Sequence, residues 1–346
     1  MKKYFSSAIC SKGFMSAYTT IYKNDPSATV YIVNGDDYEK SVFFSQMIKH
    51  LSGYNTTLFN PFYDECTDGI YIENLNTYIL SDGGYSKINP VLPNIWEKQI
   101  NLVKDKAYKT DLLREVLYYK AKENNHYRDA CITLKKASLI KERAHNEISP
   151  YLNEDKIVNF IHRFKSKELK GIKSQSKGKI KLLSSPTPLG FHTHYDTIFT
   201  LCEKVVNITD DTGFVASIIS GVIKNFAIRE KIPIIASPSY YKNEFLQYLI
   251  FPTIKIGICV SDKSHILPFE AYENMCVSRF LTNPQILNSK SVEALLSIEE
   301  KLIDKAILSL YEGREERFKC NDLAKGYSVT EEAIASAKSL AEKMLN

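Results

Sequence analysis

Val30–Ser45 reads V-Y-I-V-N-G-D-D-Y-E-K-S-V-F-F-S. Val30–Val33 is an apolar run of buried-strand length, Asn34-Gly35-Asp36-Asp37 is turn-forming, and Lys40-Ser41 opens a second run of helical length that Ser52-Gly53 closes. Strand, tight loop, Lys-Ser and helix is the layout of a phosphate-binding P-loop. Laid on G-x-x-x-x-G-K-[ST], Asn34 to Ser41 keeps Lys40 and Ser41 but carries Asn34 and Glu39 at the two defining glycine positions. Those glycines let backbone amides curl around phosphate without side-chain obstruction. Asp36, Asp37 and Glu39 also place three carboxylates where a polyanion would sit, and like charges repel. The stretch is either a nucleotide site or the remains of one. In a working site Asn34, Gly35 and Lys40 would contact phosphate, and Ser41 would hold Mg²⁺ with Asp82 behind it.

Working outward, Ser7–Tyr22 reads as a turn at Gly13 followed by a short amphipathic helix. Thr56–Phe59, Ile70–Ile72 and Thr77–Leu80 are β-like runs, which favours a parallel α/β sheet. From Thr110 to about Leu169 the chain is charged, free of glycine and helix-forming, with a break at Ser149-Pro150 and Asn153 as the next N-cap. Lys165, Lys167, Lys170, Lys173, Lys177, Lys179 and Lys181 follow. No aromatic residue interleaves after Phe164, so this is read as a solvated linker rather than a nucleic-acid or membrane-binding strip.

The pattern then repeats. Ser184–Phe199 lies over Ser7–Tyr22 with Gly190-Phe191 on Gly13-Phe14, and Val205–Asp211 covers the strand and loop with Asp210-Asp211 on Asp36-Asp37. Ile256–Val260 with Asp262 repeats Thr77–Leu80 with Asp82. Ser328-x-x-Glu331 is a capping box for the last helix. In the second loop Gly213 is kept, but Phe214 and Val215 replace Lys and Ser, so no phosphate-binding cation or metal-binding hydroxyl remains.

The expected fold is α/β, two tandem P-loop NTPase-like parallel-sheet lobes, each followed by a helical arm. Residues 1–170 form the first lobe (arm about 108–170), 171–183 a basic linker, and 184–346 the second lobe (arm about 289–346). The 346 residues suffice for two cores, and 44% hydrophobic with 25% charged content is that of a globular protein. A net charge of +5 is too small to imply nucleic acid. Seven scattered cysteines without a C-x-x-C argue against disulfides or a zinc knuckle. The opening M-K-K-Y-F-S-S-A-I-C lacks an apolar core of signal-peptide length, and the longest apolar runs, Phe214–Ile223 and Phe245–Val260, do not span a bilayer, so a cytoplasmic location is expected.

The segments S-A-I-C-S-K-G-F, V-Y-I-V-N-G-D-D-Y-E-K-S and T-Y-I-L-S-D-G, then an arm and a second copy beginning Thr187-Pro188-Leu189-Gly190-Phe191, resemble a family of uncharacterised bacterial tandem P-loop ATPase-like proteins. The resemblance runs through nearly the whole chain. It implies a P-loop NTPase fold, ATP with Mg²⁺ as ligand, Lys40-Ser41 as the end of the first loop, and Asp82 and Asp262 as strand-end acids.

His192-x-His194-x-Asp196 is a candidate metal site, because on a strand the two histidines share a face. The repeat, however, places this segment on a helix, where i and i+2 diverge. His265 falls after a strand end, where open α/β sheets bind ligands, but reads first as an exposed loop histidine. The resulting expectation is an ATPase-like protein with degenerate sites and weak or no hydrolysis, binding nucleotide or acting as a scaffold through its helical arms. The alternatives are an ATPase using the first lobe alone and a metal-dependent hydrolase using His192, His194 and Asp196.

Overall fold

The computed structural model describes residues 1–19, 21–23, 25–102, 110–172, 178–241, 244–263, 265–325 and 330–345. It builds one succession of elements twice. The first half runs β1 (Lys2–Phe5), β2 (Ser7–Cys10), β3 (Gly13–Ser16), β4 (Thr29–Asn34), α1 (Asp37–His50), β5 (Thr56–Asn60), β6 (Gly69–Ile72), β7 (Thr77–Ser81), β8 (Glu97–Asn101), α2 (Thr110–Ile148) and α3 (Glu154–Glu168). The second half runs β9 (Lys179–Ile180), β10 (Ser184–Thr187), β11 (Gly190–Thr193), α4 (Tyr195–Leu201), β12 (Lys204–Thr209), α5 (Phe214–Arg229), β13 (Ile235–Pro238), β14 (Leu246–Phe251), β15 (Ile256–Ser261), β16 (Glu273–Cys276), α6 (Lys290–Lys325) and α7 (Thr330–Leu345). The sheets are ordered β1-β5-β6-β7-β4-β8 and β9-β13-β14-β15-β12-β16, the same order in each repeat.

Each sheet is mostly parallel rather than wholly so. β6 and β14 run antiparallel to both neighbours. Only residues 73–76 separate β6 from β7, and a parallel crossover needs about a dozen or more. The chain turns back there through Asn76 at φ 43, and the matching turn before β15 uses Lys255 at φ 54.

Ser7–Tyr22 is not helical. β2 and β3 pair as a hairpin that Gly13 closes at φ +113, and only a 3-10 turn, Ala17–Thr19, follows. Gly190, at φ +105, closes the equivalent hairpin β10–β11. These positive φ values belong to a chain reversal, which is why the run cannot continue as a helix. His192 therefore lies on a strand, not on the helix that the repeat suggested.

The second sheet begins inside the basic stretch, because Lys179–Ile180 pairs in parallel with β13. Lys173 and Lys177 lie outside the described residues, as does Ser328 of the capping box. Asn153 does cap α3, its side-chain oxygen accepting from the Lys156 amide at 3.0 Å. Among the described residues no helix is long and apolar enough to cross a membrane.

Alternation along the strands sorts side chains into layers. Val30, Ile32, Phe59 and Leu80 of the first sheet pack on Val205, Ile235, Tyr248 and Ile250 of the second, so the two sheets share a central core. The opposite face, with Tyr31, Val33, Leu58 and Ile79, is covered by Phe43, Phe44 and Met47 of α1 and by Ala333, Ala337 and Leu340 of α7. On the far side Ile208, Leu249, Phe251 and Ile258 lie under α5 and under Ile157, Phe160, Ile161 and Phe164 of α3. The arms are thus exchanged, α3 covering the second lobe and α7 the first. At 39 residues α2 reaches about 58 Å, enough to carry the chain across the molecule.

α2 and α6 pack antiparallel, as the facing pairs Glu123–Arg317 and Lys141–Glu299 require. At Gly313 the two are in close contact, since an added Cβ would lie 2.3 Å from a ring carbon of Tyr127. Gly313→Ala is therefore expected to destabilise the protein by about 1–3 kcal/mol through overpacking. Urea denaturation should show this loss, and should show it reduced when Tyr127→Ala is added.

Candidate functional site

The strand ends of the first lobe meet α6 around a cavity of about 430 Å³ lined by Lys40, Ser41, Tyr63, Asp68, Arg317 and Lys325 among others. The structure divides the sequence-derived residues. Lys40 and Ser41 line this cavity, whereas Asn34, Gly35 and Asp82 are engaged elsewhere. The Asn34 amide donates to Gln99 Oε1 at 2.7 Å and Asn101 Oδ1 at 3.0 Å on β8. Gly35 lies under Leu102, whose Cβ would stand 3.1 Å from an added side chain. Asp82 accepts from the Ile88 amide at 3.0 Å and so closes its own loop.

The N-terminus of α1 is capped from within the chain. Asp36 is its N-cap and accepts from the Glu39 amide at 2.8 Å. Lys40 is buried and turned back, donating to the Asp82 carbonyl at 3.0 Å and pairing with Asp37 at 3.2 Å. Arg317 of α6 meets Asp37 at 2.6 Å and Glu123 of α2 at 2.9 Å, with its guanidinium 4.0 Å above the Tyr63 ring. Burial pushes the Asp37 carboxyl up, but Arg317, Lys40 and Lys120 outweigh it and hold the group well below the usual carboxylate range.

The second lobe closes its loop more completely. Asp210 is 1% exposed. One of its oxygens accepts from the Thr212 amide (3.1 Å) and hydroxyl (2.7 Å), the other from the Ala216 amide (3.0 Å) in the first turn of α5. Gly213, at φ +69, is the N-cap that lets the backbone turn into α5. His145 of α2 stacks on Phe214 and approaches the Thr212 carbonyl at 2.7 Å, sealing the loop. Lys141 stands opposite Arg317 in the repeat and meets Glu299 at 3.1 Å. Burial disfavours its ammonium, yet Tyr240, Glu299 and Asp262 outweigh that and hold its pKa well above the ordinary value.

His192 and His194 are neighbours, with ring centroids 5.1 Å apart, and line a second cavity. Asp196 is exposed on the first turn of α4 and does not line that cavity. Among the described residues no group of three or more His, Cys, Asp or Glu is arranged to hold a metal ion. His265 is buried rather than exposed, beside the Tyr248 hydroxyl and 3.3 Å from Thr193 Oγ1.

Two residues of the first cavity escaped the sequence. Arg317 is 280 positions from Asp37 (317 less 37), and only the folded α2–α6 pair brings it near. Asp68 sits in a patternless loop, yet accepts from Ser6 Oγ (2.9 Å), Tyr18 OH (2.9 Å) and Ser86 Oγ (3.2 Å). Burial raises its pKa to about 6 against the lowering pull of those hydroxyls. No protein-family model, no curated protein and no solved structure matches the chain.

Two tests follow. The Asp68 pKa is raised on folding from 3.8 to about 6, so its contribution is fully present below pH 3.8 and lost as pH rises through 6. Wild type should thus lose about 2.4 kcal/mol between pH 4 and 7 relative to Asp68→Asn, whose neutral amide does not titrate. Paired urea melts across that range measure the difference. Arg317→Leu takes the guanidinium from Asp37 and the fully buried Glu123 and leaves them to Lys40 and Lys120, and should cost about 3 kcal/mol at pH 7. The loss should shrink toward pH 4, where Asp37, now less well compensated, can take up a proton.

Proposed function

We propose that this chain is a pseudo-NTPase, a tandem P-loop-type scaffold whose nucleotide positions are filled by its own side chains, and which serves as a protein-interaction platform. One observation carries the reading. The loop and first helical turn that would receive phosphate in the second lobe hold the Asp210 carboxylate through three hydrogen bonds, two from Thr212 and one from the Ala216 amide of α5. A helix N-terminus attracts an anion through its free amides and dipole, and here the Asp210 carboxylate already occupies that position, while the Phe214 amide is taken by the Thr212 hydroxyl. A phosphate brought to about 4 Å from that carboxylate meets a repulsion of about 4 kcal/mol at an effective dielectric of about 20, roughly a thousandfold in affinity. In the first lobe the support is similar, with Asp36 capping α1 and Lys40 held by Asp37 and the Asp82 carbonyl. The platform reading draws on the first turns of α2, where Leu113, Leu117 and Tyr118 are exposed.

A second reading, nucleotide binding by the first lobe alone, draws on one feature: Lys40 and Ser41 line one cavity together with Arg317, although both cations would have to leave Asp37 to meet a phosphate. ATP with Mg²⁺ would be its ligand. Calorimetric titration of Mg-ATP and Mg-GTP into wild type and Lys40→Ala separates the two. The scaffold reading expects no binding tighter than about 1 mM to either protein. Binding of wild type below that limit, abolished by Lys40→Ala, would replace it with the second.

A further inference from the structure

The chain from Lys179 to Leu182 runs along the seam between the two lobes. Lys179–Ile180 pairs with β13, and the Lys181 amide donates to the Ala236 carbonyl at 3.1 Å. On the other side the Phe5 amide of β1 donates to the Leu182 carbonyl at 2.7 Å. Residues two apart on an extended chain share a side. Lys179 and Lys181 therefore project together from one segment, and Lys2 and Tyr4 together from the strand beside it. The two sides meet, for Lys181 Nζ lies 4.2 Å from the centroid of the Tyr4 ring.

This amine has cations for neighbours and no anion of its own. Among the described residues Lys181 forms no ion pair, and its side chain makes no hydrogen bond. The carboxylate on its side, Glu73, is already engaged, Oε1 by Lys2 and Oε2 by Asn55, each at 2.6 Å. Burial pushes the Tyr4 phenol up, so that side chain stays neutral and offers a ring face alone. Lys181 is half-buried, and its Nζ is not among the polar atoms sealed from solvent without a partner. Burial first, then Lys179 and Lys2, bring its pKa down to about 7 against the pull of Glu73. At pH 7 about half of such amines are neutral, against about one in 2,500 for an ordinary lysine. Only the neutral form is a nucleophile.

The same neighbours select the electrophile. An aldehyde would leave a protonated imine, a third cation beside Lys2 and Lys179. Carbon dioxide leaves an anion. Its carbon accepts the amine lone pair, one C=O electron pair moves onto oxygen, and the proton released from nitrogen goes to water. The product carboxylate is opposite in sign to both lysines, so the charges that disfavour the ammonium favour the carbamate. Carbon dioxide is also small and uncharged, which suits a half-buried amine set between like charges.

We propose that Lys181 is a carbon dioxide site, its side-chain amine forming a carbamate whose charge is held between Lys2 at the edge of the first lobe and Lys179 at the edge of the second. Carbamate formation turns three like charges at the seam into an alternating set that joins the lobes.

The test equilibrates the full chain with carbon dioxide and bicarbonate, then adds triethyloxonium, which converts a carbamate to a stable ethyl ester. Peptide mass spectrometry reads which lysine carries it. Lys181 should carry at least about tenfold more adduct than the exposed Lys231, and none without carbon dioxide. At a fixed carbon dioxide pressure the adduct should rise from about pH 6 to about pH 8, as the amine loses its proton. Lys179→Gln removes a cation that keeps the amine neutral and pairs with the product, and should lower the adduct about three- to tenfold. Lys2→Gln should lower it at least as far, because it also frees Glu73 to hold Lys181 protonated. Circular dichroism checks that both variants are folded, and the wild-type map stands without them. The proposal is overturned if Lys181 carries no more adduct than Lys231, or if its adduct is flat or falls between those pH values. It is equally overturned if both folded variants carry as much as wild type.

Discussion

The contact between Arg317 and the pair Asp37 and Glu123 ties three helices from three parts of the chain into one charge cluster. Its counterpart in the repeat, Lys141 with Glu299, joins α2 to α6 at the other end of the pair. A buried ion pair adds little net stability over a well-packed apolar pair, because both charges lose their water. It penalises every arrangement in which one charge is left alone. Two such pairs, at either end of two long antiparallel helices, fix the register of α2 against α6 and place each lobe relative to the other. Gly313 sharpens the same constraint, since only a residue without a side chain admits the Tyr127 ring.

Exchange of the arms follows from that register. α2 delivers α3 to the far face of the second sheet, where Phe160 and Phe164 join its core, and α6 returns α7 to the far face of the first. Each lobe therefore covers its outer face with one helix of its own half, α1 or α5, and one from the other half of the chain. Together with the core that the two sheets share, this makes the halves interdependent in folding despite their repeated topology.

At both strand ends the protein turns a loop carboxylate onto its own backbone, Asp36 accepting from the Glu39 amide and Asp210 from the Ala216 amide. Acidic residues at these loops thus mark intramolecular closure.

The sequence by itself determined the local elements and their recurrence: the strand and helix around Val30–Ser45, the break at Ser149-Pro150, the Asn153 cap and the repeated hairpin glycines. These are short-range matters of periodicity, capping and backbone freedom, which neighbouring residues decide. It also indicated the acidic filling of the loops, because Asp36 and Asp210 lie within a few positions of the amides they bind. The reversed strands β6 and β14 were legible in principle from the four-residue connection after β6. Only the tertiary structure decided the exchange of the arms, the meeting of Arg317 with Asp37, the burial of Asp68 and His265, and the placing of Lys2 and Tyr4 beside Lys181. Each of these depends on contacts between segments far apart in the chain. Their energies come from burial and charge pairing that exist only once the two sheets and the two long helices have met, so no local pattern records them.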